Sequence, residues 1–273
     1  MAISGIGPGV RTARRTIFNY VFAAYWWVVF SLLAGLVWPL LIVSPRLSWR
    51  WSALRFAAHS MLRLTGIKLT VDGELPPDRG VILVANHCSY LDSLVLIAAL
   101  DAEIDFVAKA ELAPQLFAGT LLRRIGTLFV ERFEVDRGVE DMQVAIDAAR
   151  DGRRLLIYPE GTLTRRPGLL AFKLGAFAVA AAANVPVVPI TLLGTRSILR
   201  GGQWFPRSGD VHVTIGSEIS PDGDGFEAAI KLRDLARSEI LSRCGEPDLV
   251  GESTLLIDGR KTARAATNQT TAD

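Results

Sequence analysis

Residues 80–100 read GVILVANHCSYLDSLVLIAAL. Gly80 to Ala85 is a short, unbroken apolar run, the length of a strand buried on both faces. Asn86 to Tyr90 is a polar turn, and Asp92 to Leu100 returns to an apolar pattern at helical spacing. Strand, turn and helix in this order make one unit of an open α/β sheet, and such sheets bind ligands at the carboxyl ends of their strands. The turn carries His87 and, five positions on, Asp92. An imidazole takes a proton near neutral pH, and a carboxylate in reach fixes its tautomer. Ser89 with Asp92 also fits the Ser-x-x-Asp pattern that starts a helix, so a capping role stands beside the catalytic one.

The same alternation continues outward from this unit. Strand patterns fall at Ile67–Val71, Ile104–Ala108, Thr127–Val130, Leu155–Tyr158, Val187–Leu192 and Val211–Ile215. Helical patterns fall at Pro114–Arg124, Gly138–Ala149, Phe172–Asn184 and Phe226–Cys244. Alternation of this kind predicts an α/β fold: a largely parallel sheet of about seven strands with helices on both faces. Asn184-Val185-Pro186 and Gly201-Gly202 read as breakers. His212, in the alternating stretch VHVTI, reads as structural.

Toward the N-terminus the texture differs. Ile17 to Val43 carries no charge and exceeds the roughly 20 apolar residues that cross a bilayer. It is too long for the apolar core of a signal peptide. Tyr25, Trp26, Trp27 and Trp38 suit a membrane interface. Arginines on both sides leave two arrangements open, a single span or a hairpin bent near Gly35 or Pro39. Leu47 to Leu64 is amphipathic, with Trp51, Leu54, Ala58, Met61 and Leu62 on one face. A helix lying on the membrane surface and a helix packed on the core both fit. The predicted organisation is a membrane-embedded helical segment over 1–64, an α/β domain over 65–250 and a disordered tail over 251–273.

Composition bounds the function. A net charge of +2 gives no footprint for nucleic acid. Two cysteines, Cys88 and Cys244, make neither a disulfide framework nor a zinc pattern, so no metal is expected.

Three further stretches carry chemistry. Gly126 to Arg132 (GTLFVER) is a strand that delivers Arg132 at its end, where a guanidinium can grip a phosphate; a solvated arginine paired with Glu131 or Glu134 is the bland reading. Tyr158 to Thr162 (YPEGT) ends another strand. Pro159 stops the ladder, Glu160 points from the edge, and Gly161 permits close backbone approach. Thr164, Arg165 and Arg166 follow. Val185 to Ile190 (VPVVPI) places Pro189 inside an apolar strand, which implies an edge position or a bulge.

These four strings, in this order, resemble the 1-acylglycerol-3-phosphate acyltransferase family of glycerolipid acyltransferases. The first matches Asn86, His87, Ser89 and Asp92. The second matches Gly126, Phe129, Val130 and Arg132, and the third Pro159, Glu160, Gly161 and Thr162. The fourth matches Val185, Pro186, Val188 and Pro189. The resemblance spans roughly 86–194 plus a similar N-terminal membrane segment. It implies that His87 is the general base on the acceptor hydroxyl and that Asp92 holds it. Arg132, Glu160 and Gly161 would position the acceptor head group, with Ser89, Gly126, Phe129 and Thr162 in the same site, and Pro189 by the acyl donor. Acyl-CoA or acyl-carrier protein is the implied co-substrate, with no cofactor. The partners are membrane lipids and a lysophospholipid, at the cytoplasmic face of a membrane.

Two places depart from the family pattern. Tyr158 stands where Phe is usual, and Leu163 stands where an arginine follows the Thr. The second departure keeps other lyso-lipid acceptors open, such as a lyso-ornithine lipid. Outside the class, a non-catalytic lipid-binding protein and a thioesterase-like hydrolase are the rivals. A scaffold has no use for a base in that turn, and a hydrolase none for a basic acceptor pocket.

Overall fold

A computed structural model describes residues 8–77, 79–130 and 135–250. Its elements are α1 (Pro8–Val43), α2 (Leu47–Leu64), β1 (Leu69–Asp72), β2 (Val81–Ala85), α3 (Asp92–Ala99), β3 (Asp105–Lys109), α4 (Ala118–Arg124), β4 (Leu128–Val130), α5 (Val135–Arg150), β5 (Arg154–Ile157), α6 (Gly175–Ala183), β6 (Val187–Leu193), α7 (Thr195–Ile198), β7 (Val211–Ile215) and α8 (Phe226–Arg243). The strands make a seven-stranded sheet, and the pairings β1–β7, β3–β4, β2–β5 and β2–β6 are all parallel. The α/β class with a largely parallel sheet is thus the observed fold. The 251–273 tail lies outside the described residues.

The chain divides into two compact units. One comprises Met1–Leu75, Cys88–Glu131 and Leu192–Thr214; the other comprises Pro76–His87, Arg132–Thr191 and Ile215–Asp273.

The second unit is built on β2. Its five side chains, Val81 to Ala85, are all at 0% exposure. Neighbouring strand residues point to opposite faces, so both faces of β2 are covered. β5 and β6 flank it, with Leu83 opposite Leu156 and Val188, and α6 packs on it. Gly80 is required at the strand's entry, because a Cβ there would lie 1.8 Å from the Ala149 carbonyl oxygen. α6 ends at Asn184 in the left-handed conformation, φ 55°, as the breaker at Asn184–Pro186 predicts. Pro189 corrects an expectation. β6 is not a bare edge: Pro189 sits opposite Val84 of β2, and its carbonyl accepts from the Gly216 amide at 2.8 Å. A residue's N–H and C=O leave a strand on the same side, so the missing donor faces away from β2 and takes no bond from that ladder.

The first unit holds the long apolar helix. α1 runs unbroken through Gly35 and Pro39. Of the two arrangements left open, the bend near Gly35 or Pro39 is absent, and the chain reverses at Ser44-Pro45-Arg46. The Tyr25 hydroxyl donates to the Leu64 carbonyl at 2.9 Å, which fixes α2 antiparallel to α1. Arg50 clasps the reversal by donating to the Ser44 carbonyl from Nε and Nη2, at 2.9 and 2.6 Å. Ala23, Trp26, Val37 and Leu41 of α1 are buried, as are Trp51, Ala58, Met61 and Leu62 of α2. The apolar face of α2 therefore packs inward, against α1 and α3. The stretch Thr16–Val43 has a mean hydropathy of 2.2 and only 22% of its most apolar window is buried. A soluble core helix would be covered far more. At ~1.5 Å per residue it exceeds the roughly 30 Å of a bilayer's hydrocarbon. His212, expected to be structural, pairs with Asp72 at 2.6 Å across β1 and β7.

Candidate active site

The chemistry-bearing residues form two groups, one in each unit. In the second unit His87 follows the carboxyl end of β2, as expected. It is half-buried, and its ring stacks on Tyr158 with centroids 4.0 Å apart and planes 17° apart. Tyr158, which replaces the usual Phe, thus supplies a flat face for the imidazole. The backbone N–H of His87 donates to Glu160 Oε1 at 2.7 Å, and the N–H of Leu170 donates to Oε2 at 3.1 Å. Glu160 is only 4% exposed. Both of its oxygens hold backbone, and it braces the histidine's main chain. Gly161 follows at φ 71°, its N–H returning to the Tyr158 carbonyl at 3.0 Å. This turn demands the left-handed conformation that glycine adopts without strain.

Leu170 is itself secured. Leu169 pairs with the segment around Asp248, donating to the Pro247 carbonyl at 2.8 Å and accepting from the Leu249 N–H at 3.1 Å. Arg237 of α8 donates to the Leu169 and Leu170 carbonyls and to Asp248 Oδ1 at 2.6 Å. The guanidinium, followed by the Val250 N–H, holds the Asp248 carboxyl below the usual carboxylate range. The strand end bearing Glu160 is therefore braced from α8 and the C-terminal segment. Nothing in the sequence pattern signals this.

In the first unit the rest of the turn is organised around Asp92, at 0% exposure. The N–H groups of Cys88 and Ser89 donate to Asp92 Oδ2 at 2.7 and 2.8 Å. Ser89 Oγ accepts the Leu91 N–H at 3.0 Å and donates to the Leu199 carbonyl at 2.6 Å. This is only half of the Ser-x-x-Asp capping box: Asp92 reaches back to the Ser89 N–H, but Ser89 Oγ takes the Leu91 N–H, and α3 starts at Asp92 with Leu91 at its N-cap and no side-chain cap bond. The bonds organise the turn ahead of the helix and fix the carboxylate. Ser89 is also at 0% exposure, and its hydroxyl fastens the turn. Cys88 is buried, with Sγ 3.3 Å from Thr195 Oγ1 and 4.0 Å from Asp92 Oδ1.

Gly126 (φ 87°) opens the turn into β4, where Phe129 is half-buried. Arg132 lies outside the described residues. Lys109, which sequence reasoning missed, ends β3 directly opposite Val130, so its charge sits at the carboxyl end of its strand. The signal was available, since a lysine closes the strand pattern at 104–108. Thr162, Arg165 and Arg166 are exposed. Among the described residues no cluster of three metal-ligating side chains occurs.

The first unit also holds a half-open apolar pocket of about 280 Å³. Phe30, Val37 and Trp38 of α1, Met61 of α2, Ile97 of α3 and Leu121 of α4 line it. Ser93, the residue after Asp92, is its polar corner.

A half-buried imidazole at the end of a parallel strand and a carboxylate buried in the turn that follows make the candidate site of an α/β protein. Residues 67–193 match the family model described as Acyltransferase. The chain belongs to the 1-acyl-sn-glycerol-3-phosphate acyltransferase family and is an acyltransferase. It is 32% identical over 219 residues to 1-acyl-sn-glycerol-3-phosphate acyltransferase alpha of Bos taurus, covering 79% of this chain and 76% of that one. It is 34% identical over 180 residues to a Chlamydomonas reinhardtii protein of the same name, covering 66% of this chain and about half, 52%, of the algal one. The crystal structure of the 1-acyl-sn-glycerophosphate acyltransferase of Thermotoga maritima shares the fold, with a TM-score of 0.70 at 23% identity over 84% of this chain and 95% of that one.

Proposed function

We propose that this acyltransferase moves a fatty acyl chain from acyl-CoA or acyl-carrier protein to the sn-2 hydroxyl of 1-acylglycerol 3-phosphate, giving phosphatidic acid. His87 is the general base, oriented by Asp92. The acceptor oxygen forms a bond to the thioester carbonyl carbon while its proton passes to the imidazole. The C–S bond then breaks, and the proton leaves with the thiolate. No acyl-enzyme is needed. The observation that carries this reading is the rigidity of the turn. Its main chain is held by Glu160 at His87 and by Asp92 at the two residues that follow, which is the positioning that direct attack requires. Proton removal by a placed base contributes typically ~10²–10⁴-fold.

Lys109, at the carboxyl end of β3, and Arg132 of the second motif are the cations for the acceptor phosphate. The apolar pocket receives an acyl chain; its volume is near the lower end of the roughly 300–1,000 Å³ of ligand pockets. The exposed apolar surface of α1 embeds the protein in a membrane, with the turn facing the cytoplasm where both thioesters occur. The names of the bovine and algal relatives support the acceptor. Leu163, in place of an arginine, favours one second reading, a lyso-ornithine lipid. The test offers purified enzyme a panel of lyso-lipids with each thioester and follows thiol release. Fastest release with 1-acylglycerol 3-phosphate is expected. Release confined to an acceptor without phosphate would replace that assignment.

A further inference from the structure

We infer that the loop of residues 200–207, RGGQWFPR, is a second membrane contact that docks on the surface of an anionic bilayer beside the catalytic turn. This rests on the reading of α1 as membrane-embedded. The loop is built rather than loose. The Gln203 N–H donates to the Arg200 carbonyl at 3.1 Å, and the Arg207 N–H to the Ile198 carbonyl at 2.9 Å. Its tip is aromatic and exposed, with Trp204 at 67% exposure. A soluble surface has little reason to hold an indole there, whereas the membrane interface is where an amphipathic ring is stabilised.

The loop is fixed to α1, which gives it continuity with the embedded surface. Trp27 Nε1–H donates to the Trp204 carbonyl at 2.9 Å, and the two indoles lie 5.6 Å apart. Phe205 meets Tyr20 edge-on at 5.1 Å. The apolar stretch of α1 begins at Thr16, so Tyr20 lies one turn in, the depth at which interfacial aromatics sit, and Trp27 anchors the loop from about three turns in. Tyr20 and Val21 beside the loop are 65% and 62% exposed. The charges agree. Arg200 and Arg207 bracket the aromatics and are exposed, and no carboxylate occurs between Arg196 and Gly209. Basic residues next to an inserted segment are attracted to anionic head groups.

The loop also touches the motif turn. Tyr90, between His87 and Asp92 in sequence, stacks on Trp204 with centroids 5.4 Å and planes 14° apart. Its hydroxyl accepts the Gly202 N–H at 3.3 Å. Lipid at the loop therefore lies against the turn, and a lyso-lipid can arrive from within the bilayer surface.

The test uses the full chain with an environment-sensitive fluorophore on Gln203→Cys. The native thiols, Cys88 and Cys244, are both buried, and burial also raises the Cys244 pKa, so labelling falls on position 203. Vesicles contain phosphatidylcholine with or without phosphatidylglycerol, and some carry nitroxide-labelled lipid. Blue-shifted emission quenched by shallow nitroxides, stronger with phosphatidylglycerol, is expected. In parallel, Trp204→Ser/Phe205→Ser should raise KM for a long-chain acceptor held in vesicles roughly ten-fold, about what loss of 1.4 kcal/mol of surface binding gives. It should leave KM for a short-chain, monomeric acceptor unchanged. A protein that floats with vesicles while its label stays water-like and unquenched overturns the loop assignment alone. A wild-type protein that does not float at all overturns the reading of α1, and this one with it.

Discussion

Two carboxylates, Asp92 and Glu160, stand in motifs that both look like substrate machinery, and the structure gives them different tasks. Each is almost wholly buried and each accepts two backbone N–H groups. Asp92 gathers both on Oδ2, from residues three and four before it, inside one turn. Glu160 receives one on each oxygen, from His87 and Leu170, which are 73 and 10 positions away. The first is a local device that fixes a carboxylate in the turn following His87. The second ties distant strands of main chain. A buried acid at a strand end is therefore a poor sign of substrate contact until its acceptor oxygens have been followed to their donors.

Substitutions can sharpen or break that contrast. On the proposed mechanism Asp92→Asn removes the charge that orients the imidazole, and kcat should fall by about 10²–10⁴-fold with KM little changed; steady-state thiol release reads it. A drop of less than three-fold would leave Asp92 as a brace of the turn only. Glu160→Gln keeps one carbonyl oxygen but sets an NH₂ against a backbone N–H. An unsatisfied buried donor costs about 1–3 kcal/mol, so thermal stability should drop, with a smaller fall in kcat. A large rise in the acceptor's KM at unchanged melting temperature would instead make Glu160 a head-group ligand. Ala57→Phe narrows the pocket from α2, whose lining includes Ala57. A several-fold shift toward shorter acyl chains is expected in competition assays, on the scale of about 1–3 kcal/mol per pocket methylene or two. An unchanged chain-length profile would place the acyl group elsewhere.

The smallest effect is at Asp248. Its carboxyl is held below the usual range by Arg237, so its stabilisation is present above the unfolded pKa, ~3.9, and is lost as pH falls through the folded value. The pair is largely exposed on the Asp side, and such pairs contribute little. Asp248→Asn should therefore lower the melting temperature at pH 7 by no more than about a few degrees. The difference from wild type should close as pH drops below 4, and a difference that persisted there would assign it to something other than charge.

How much of this was legible follows from physical range. β2 begins and ends at Val81 and Ala85, as read, because a strand buried on both faces leaves an unbroken apolar run. Asp92 was legible because its partners are three and four residues away. The bonds that Glu160 accepts were not legible, because a backbone N–H donor leaves no mark on its own side chain. The reversal at Ser44–Arg46 was missed because Gly35 and Pro39 looked like better breakers, yet α1 tolerates both. Pro189 looked like an edge signal, but its absent N–H faces away from β2. The aromatic contacts of Trp204 with Trp27 and Tyr90 join residues 177 and 114 positions apart, beyond any local pattern.

The most direct measurement is rapid-quench thiol release by wild-type enzyme and by His87→Ala, each with saturating acyl thioester, with and without 1-acylglycerol 3-phosphate. Release by the wild type only when the acceptor is present, and its loss in the variant while vesicle binding persists, is the predicted result. Equal release without acceptor, or near-normal turnover by the variant, would contradict a histidine that activates a lipid hydroxyl for direct attack.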